Sequence, residues 1–176
     1  MKTSFLLIAA ALAASAAAQA QHHAAPAPAS PYAGQESREI KALSAEEQRA
    51  WLEGHGAGLA RAAELNRHPG PQHVLELAQH LALSPEQEQR TRELMHRHKE
   101  EVRALGQRLV ALERELDRLF ARGAPVDGAE VTRLAQEIGL VAGRIRAGHL
   151  RTHIEQTHLL TSEQVERYNR LRGYSK

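Results

Sequence analysis

LSPEQEQRTRELMHRHKEEVRALGQRLVALERELDRLF, the stretch from Leu83 to Phe120, decides how this chain folds. Ser84 is a good N-cap, Pro85 suits the first helical position, and Gln87 stands where a side chain reaches back to complete a capping box, so a helix is expected to start here. Beyond the cap, Thr91, Met95, His98, Val102, Leu105, Leu109, Leu112, Leu116 and Leu119 recur at alternating steps of four and three. That spacing is the heptad seam of a coiled coil, and such a helix needs a partner along its length.

Outward from this stretch, the opening signal repeats. Leu160-Thr161-Ser162-Glu163-Gln164 again offers a cap, Thr161, with a glutamine three residues on, and Leu160 and Val165 are spaced as a hydrophobic staple. Between the two boxes, Arg122-Gly123-Ala124-Pro125 reads as a turn and Asp127 as the cap of a second long helix, Asp127 to about Leu159. Val131, Leu134, Ile138, Val141 and Ile145 form its seam, continued by Leu150 and Ile154 after a drift at Ala147-Gly148. The expected fold is all-α, a long antiparallel helical hairpin with short flanking helices. Two helices alone leave apolar surface uncovered, so a homodimer is expected as well.

Upstream, Leu43-Ser44-Ala45-Glu46-Glu47 gives a third box, and folded sequence is expected from Ser44 to Lys176. Gly54, Gly56 and Gly58 should interrupt the helix it opens. Leu59 to Asn66 resumes helically, His68-Pro69-Gly70-Pro71 turns, and Val74, Leu75, Leu77, Ala78 and Leu81 describe a short amphipathic helix. At the front, Lys2, the apolar run Phe5 to Ala14 and Ala18-Gln19-Ala20 read as a secretory signal peptide over residues 1–20, cleaved after Ala20, which places the mature protein in a periplasm. Residues 21–43, rich in alanine and proline at their start, are expected as an unstructured lead-in.

Composition removes several classes of function. With 23 Lys and Arg against 21 Asp and Glu, the formal charge of +2 is too small for a nucleic-acid footprint. The absence of cysteine excludes disulfides and thiolate chemistry, and 3% aromatic residues leave a core of Leu, Ile, Val and Ala. No HExxH motif or Ser/His/Asp arrangement in a turn suggests an enzyme, and no organic cofactor is indicated.

Two Leu-Ser/Thr-x-x-Gln boxes, each opening a helix in a cysteine-free exported chain, resemble the LTxxQ motif of the Spy/CpxP family of periplasmic proteins, over Ser44 to Tyr174. Gly54-His55-Gly56-Ala57-Gly58-Leu59-Ala60, Ala63-Glu64-Leu65-Asn66 and Pro69 to Leu77 resemble the branch described as periplasmic heavy-metal sensors. Ser84 stands where the family name has Thr, a change that keeps the cap. The resemblance implies a cradle-shaped antiparallel dimer in envelope stress, acting either as a metal sensor with a membrane-bound signalling partner or as an ATP-independent chaperone holding unfolded periplasmic proteins. Arginines on the two long helices, among them Arg97, Arg103, Arg144 and Arg151, would supply charge for a client surface; singly they read as a solvated face.

Sensors of this branch hold their metal through His, Glu and Met side chains on helices, so histidine placement carries the metal reading. His149 and His153 lie four apart, one face of one helix, a spacing that brings two imidazoles to one ion. His73, Glu76 and His80 would share a face of the short helix. Among eleven histidines such spacings also arise without function, as solvated surface residues. His98 falls in the seam, where a partly buried core histidine is expected, and Met95 and His96 beside it would form a soft-metal site only if another helix contributed. Cleavage after Ala20 would leave Gln21-His22-His23, whose amine, two amides and the His23 imidazole suit Cu(II) or Ni(II) unless Gln21 cyclises. The expected ion is a divalent transition metal: Zn, Cu, Ni or Co.

Overall fold

A computed structural model describes residues 29–56, 58–121, 123 and 125–174; the leader, the first part of the lead-in and His23 lie outside them. Among the described residues there are six helices and no strand: α1 (Ala45–Glu53), α2 (Arg61–Glu64), α3 (Pro71–Glu76), α4 (Pro85–Ala121), α5 (Gly128–Leu159) and α6 (Ser162–Leu171). No helix among the described residues is long and apolar enough to cross a membrane.

The helix starts follow the chemistry of their caps. At α4 the Gln87 amide N–H donates to Ser84 Oγ at 3.1 Å and the Ser84 N–H donates to Gln87 Oε1 at 3.0 Å. The same reciprocal pair opens α6, between Thr161 and Gln164, and opens α1, between Ser44 and Glu47. At α5 the Asp127 carboxylate accepts from the Ala129 N–H at 2.9 Å. Each box satisfies amide groups that a helix N-terminus otherwise leaves bare.

The boxes opening α4 and α6 also hold each other. Gln87 Nε2 lies 2.9 Å from Gln164 Oε1, and Gln164 Nε2 lies 3.0 Å from Gln87 Oε1. The spare proton of each amide goes to a backbone carbonyl, Leu159 O for Gln87 and Leu81 O for Gln164. Two glutamines thus cap their own helices and pin four points of the chain together. Beside them Val74, Leu81 and Tyr168 form a small buried cluster, with Leu77, Leu83 and Leu160 packed on it.

The two long helices pack along their seams. Thr91 meets Gln156, His98 meets His149, Arg108 pairs with Glu137 and Glu115 with Arg133, so partner numbers on α5 fall as those on α4 rise. Val102, Leu109, Leu112, Leu134, Val141 and Ile145 make the main core, flanked by Leu105, Leu116, Leu119 and Ile138. Buried α4 residues also include Leu94, Gly106 and Val110, which the heptad seam omits. The reason is a second layer: α4 is covered by α5 on one flank and by α1 and the segment before it on another. Gly106 makes this possible, because a Cβ there would overlap the Trp51 carbonyl where α1 crosses.

Three expectations change. The folded part begins before Ser44: Ile40 is fully buried and Leu43 nearly so, both packed with Val110, while the Lys41 N–H donates to Asp117 at 3.0 Å. Two apolar side chains in a turn suffice to dock this segment. The stretch from Leu59 to Asn66 is helical only over Arg61–Glu64. The short helix α3 ends at Glu76, and residues 77–82 are turns closing on Ala82, which has a φ of 49° and leads into the Ser84 cap. His80 therefore sits exposed in a turn and does not share a helical face with His73 and Glu76.

Candidate functional site

Toward the capped end, the interface between α4 and α5 changes character. Beyond Val102 and Ile145 the buried positions include the polar Thr91, His149, Thr152 and Gln156 beside Leu94 and Gly148, with His98 half-buried among them. An apolar seam repels water, whereas this polar layer needs partners. Thr152 Oγ1 turns back to the Gly148 carbonyl at 2.9 Å, and Gln156 Nε2 donates to Thr91 Oγ1 at 3.2 Å.

The two histidines satisfy one another only in part. His98 Nε2 and His149 Nδ1 stand 2.9 Å apart, with ring centroids 4.4 Å apart and planes at 72°. One nitrogen of that pair carries the proton and the other accepts it. His98 Nδ1 and His149 Nε2 are buried without a hydrogen-bond partner. Burial pushes both rings toward the neutral form, His149 down to about 4 by burial first and then by His98 and His153. For His98 the downward shift likewise comes first from burial, opposed by Glu101 and assisted by His153.

His153, one turn further along α5, is oriented by backbone. Its Nδ1 lies 2.7 Å from the His68 carbonyl, which can only accept, so Nδ1 carries a proton. Gly70 closes over this ring, since a Cβ there would come within 2.8 Å of His153 Cε1. Glu64 Oε2 is 3.5 Å from His153 Nδ1, while Glu64 Oε1 accepts from Tyr168 Oη at 2.5 Å and Oε2 accepts from the Gly70 N–H at 3.2 Å. Burial and the Glu64 carboxylate together push the Tyr168 phenol well above its usual range.

These groups line one cleft of about 680 Å³, bounded by α4, α5 and the loops on either side of α2. His55, His73, Met95, His98, His149 and His153 all reach it. The i, i+4 spacing thus brings His149 and His153 to one site, and His73 joins them from α3. Glu76 and His80 do not line the cleft. The Glu76 carboxylate is taken by His73 Nδ1 at 2.8 Å and by Gln72, and these bonds hold it below the usual carboxylate range. His96 is exposed and pairs with Glu100.

Sequence reasoning missed the pairing of His98 with His149 and the presence of His55, Lys99 and Arg172 in the cleft wall. The seam position of His98 was the available signal: a seam residue faces the partner helix, and His149 lies on that helix. His55 lies in the glycine-rich stretch that carries the resemblance to metal sensors, though nothing there marked its side chain, and for Arg172, next to α6, no local pattern pointed here.

His98 Nε2 and His149 Nδ1 are directed at each other at 2.9 Å, whereas two nitrogens on one tetrahedral ion stand roughly 3.3 Å apart and both point at the ion, so both rings would have to turn to share one. Both rings are held neutral, the form that ligates. Among the described residues no group of three or more His, Asp or Glu side chains is placed to hold an ion. Compared with known proteins, the chain matches no family model, no curated protein and no solved structure.

Proposed function

We propose that this is an exported periplasmic protein of the Spy/CpxP type, acting by binding rather than catalysis, in which the cleft between α4 and α5 senses a divalent transition metal through His98 and His149. The observation that carries this is the pair of buried, neutral imidazoles in contact at 2.9 Å, each with a second nitrogen left unpartnered. A core that needed only apolar filling would hold leucine at both positions; two desolvated imidazoles cost stability and gain a ligand set. His153 and His73 stand at the same cleft as further donors, and Zn, Cu, Ni and Co all suit imidazole. In this reading α4 and α5 form the antiparallel hairpin of a cradle-like homodimer, and ion capture between them is passed to a membrane-bound signalling partner.

The test is calorimetric titration of the purified protein with Zn(II), Cu(II), Ni(II) and Co(II), beside a His98→Ala/His149→Ala variant. Micromolar or tighter binding that the variant loses supports the reading. Equal binding by both sinks it and directs attention to Gln21-His22-His23. A second reading, a chaperone that holds unfolded clients, draws on the exposure of Phe120, Leu140 and Ile154 beside the arginines. It expects substoichiometric protein to slow aggregation of an unrelated denatured client without ATP, and no effect at several-fold excess would dismiss it.

A further inference from the structure

The chain from Ile40 to Ala63 is fastened at its two ends and lightly in between. Ile40 and Leu43 are buried against Val110 of α4, the Lys41 N–H donates to Asp117 at 3.0 Å, and Glu39 pairs with Arg114 at 3.0 Å. Ala63 is the next buried residue along the chain. Among the described residues of 44–62 none is buried, and α1 lies wholly inside that stretch. Resistance to local opening follows buried apolar contact, so the fold is easiest to open here.

Helix α1 nevertheless lies close on α4. Gly106 leaves room for the Trp51 carbonyl, Arg103 Nε donates to the Glu53 carbonyl at 3.3 Å, and a Cβ at Gly54 would come within 2.8 Å of Val102 Cγ2. Close backbone contacts of this kind fix a position while burying little apolar area; Trp51, half-buried, is the apolar side chain α1 adds to the core. The chain that leaves α1 then becomes a wall of the cleft, through Gly54, His55 and Gly56. Gly56 backs onto His149, where an added Cβ would stand 3.5 Å from Cε1 and 3.6 Å from Nδ1. Gly58 follows at a φ of 77°, a conformation glycine enters and leaves without strain, and Leu59 packs on the main core.

We infer that residues 40–56 form a hinged lid over the His149 side of the cleft, latched on α4 by Ile40 and Leu43 and turning at Gly58. With the latch seated, Gly56 shields the imidazole. With it released, α1 lifts from Gly106 and the ring opens to solvent and solutes, while α4 and α5 keep their aliphatic seam. The lid governs access whatever the cleft holds, so it goes beyond the metal reading and does not rest on it.

Two measurements on the full chain test it. In the unmodified protein, native-state hydrogen exchange should show the amides of residues 48–53 exchanging about a hundredfold faster than those of residues 109–112. Carbethoxylation by diethyl pyrocarbonate, followed residue by residue by mass spectrometry, should reach His149 about tenfold faster in Ile40→Ser/Leu43→Ser than in the unmodified protein. His96, exposed on α4, should react alike in both. Gly106→Ala unseats α1 without touching the latch and should expose His149 in the same way. Faster exchange in α1 with no change at His149 overturns the inference, because the cleft then has another entrance. Equal protection of residues 48–53 and 109–112 in the unmodified protein overturns it too. So does loss of protection at residues 109–112 in the latch variant, which would make Ile40 and Leu43 part of the core.

Discussion

His98 and His149 spend burial on groups that titrate, and this gives the protein a pH signature. Their pKa values in the folded state lie below the value of about 6.5 for an unfolded histidine. Between pH 6.5 and about 4 the unfolded chain therefore binds more protons, so stability is fully present above pH 6.5 and is lost as pH falls through that window. We expect a loss of order 2 kcal/mol between pH 7 and pH 4.5, after allowance for screening at the open cleft. Denaturant titrations at a series of pH values measure it. Replacing both histidines by leucine should flatten the profile in that range; an unchanged slope would place its origin elsewhere. Glu47 and Glu76, whose pKa values are lowered by hydrogen bonds, act only below about pH 4.5, and Glu113, raised by burial, acts in the opposite sense. At this scale the sequence was legible for His149 and His153, because helical spacing fixes a shared face. It was not legible for His80, whose position depends on where a six-residue helix stops, nor for the partner of His98, which depends on register between helices.

Elements were easier to read than residues, because caps act locally. Ser44, Ser84, Asp127 and Thr161 each start a helix within a residue of expectation, since the chemistry is complete within four residues. What no local pattern carries is that the second and fourth of these signals are wired together through Gln87 and Gln164. Each amide serves its own cap and the other's, so the two should be energetically coupled. A double-mutant cycle with Gln87→Ala and Gln164→Ala is expected to give a coupling energy of about 1 kcal/mol by urea unfolding. Additive effects would mean that the caps act alone. The glycines of the long helices make a sharper pair of cases. Gly106→Ala drives a Cβ into the Trp51 carbonyl, and the displacement of α1 should cost about 1–3 kcal/mol despite the gain in helix propensity. Gly139 and Gly143 meet nothing within 4 Å, so alanine there should stabilise by up to about 1 kcal/mol each. Thermal unfolding of the three variants separates the signs, and stabilisation by Gly106→Ala would show that α1 does not dock as described. Sequence alone gives these three glycines equal standing; only the crossing of α1 distinguishes one of them.

Across the whole molecule, the long pair of helices is divided between an apolar half and a polar half. From Val102 to Leu112 and from Leu134 to Ile145 the seam is aliphatic, while from Thr91 to His98 and from His149 to Gln156 hydroxyl, amide and imidazole groups enter it beside Leu94 and Met95. Hydrophobic burial follows apolar area, and Gln156 Oε1 is buried with no hydrogen-bond partner, so the polar half contributes less to stability per turn. Helix α4 is continuous across the boundary, which lets the polar half open while the apolar half stays closed. Native-state hydrogen exchange should therefore show amides of Leu94–His98 and Thr152–Gln156 opening at least about 1 kcal/mol below those of Leu109–Leu112 and Val141–Ile145, which exchange only on global unfolding. Thr91→Val with Gln156→Leu removes the unpaired amide and substitutes apolar volume; that double variant should gain about 1–2 kcal/mol and narrow the gap. Equal opening energies in the unmodified protein would mean that the pair unfolds as one unit and that the cleft is as rigid as the core. The unequal case is the one a binding site requires, because the contact between His98 and His149 must loosen to admit a ligand without dissolving the helices that position it.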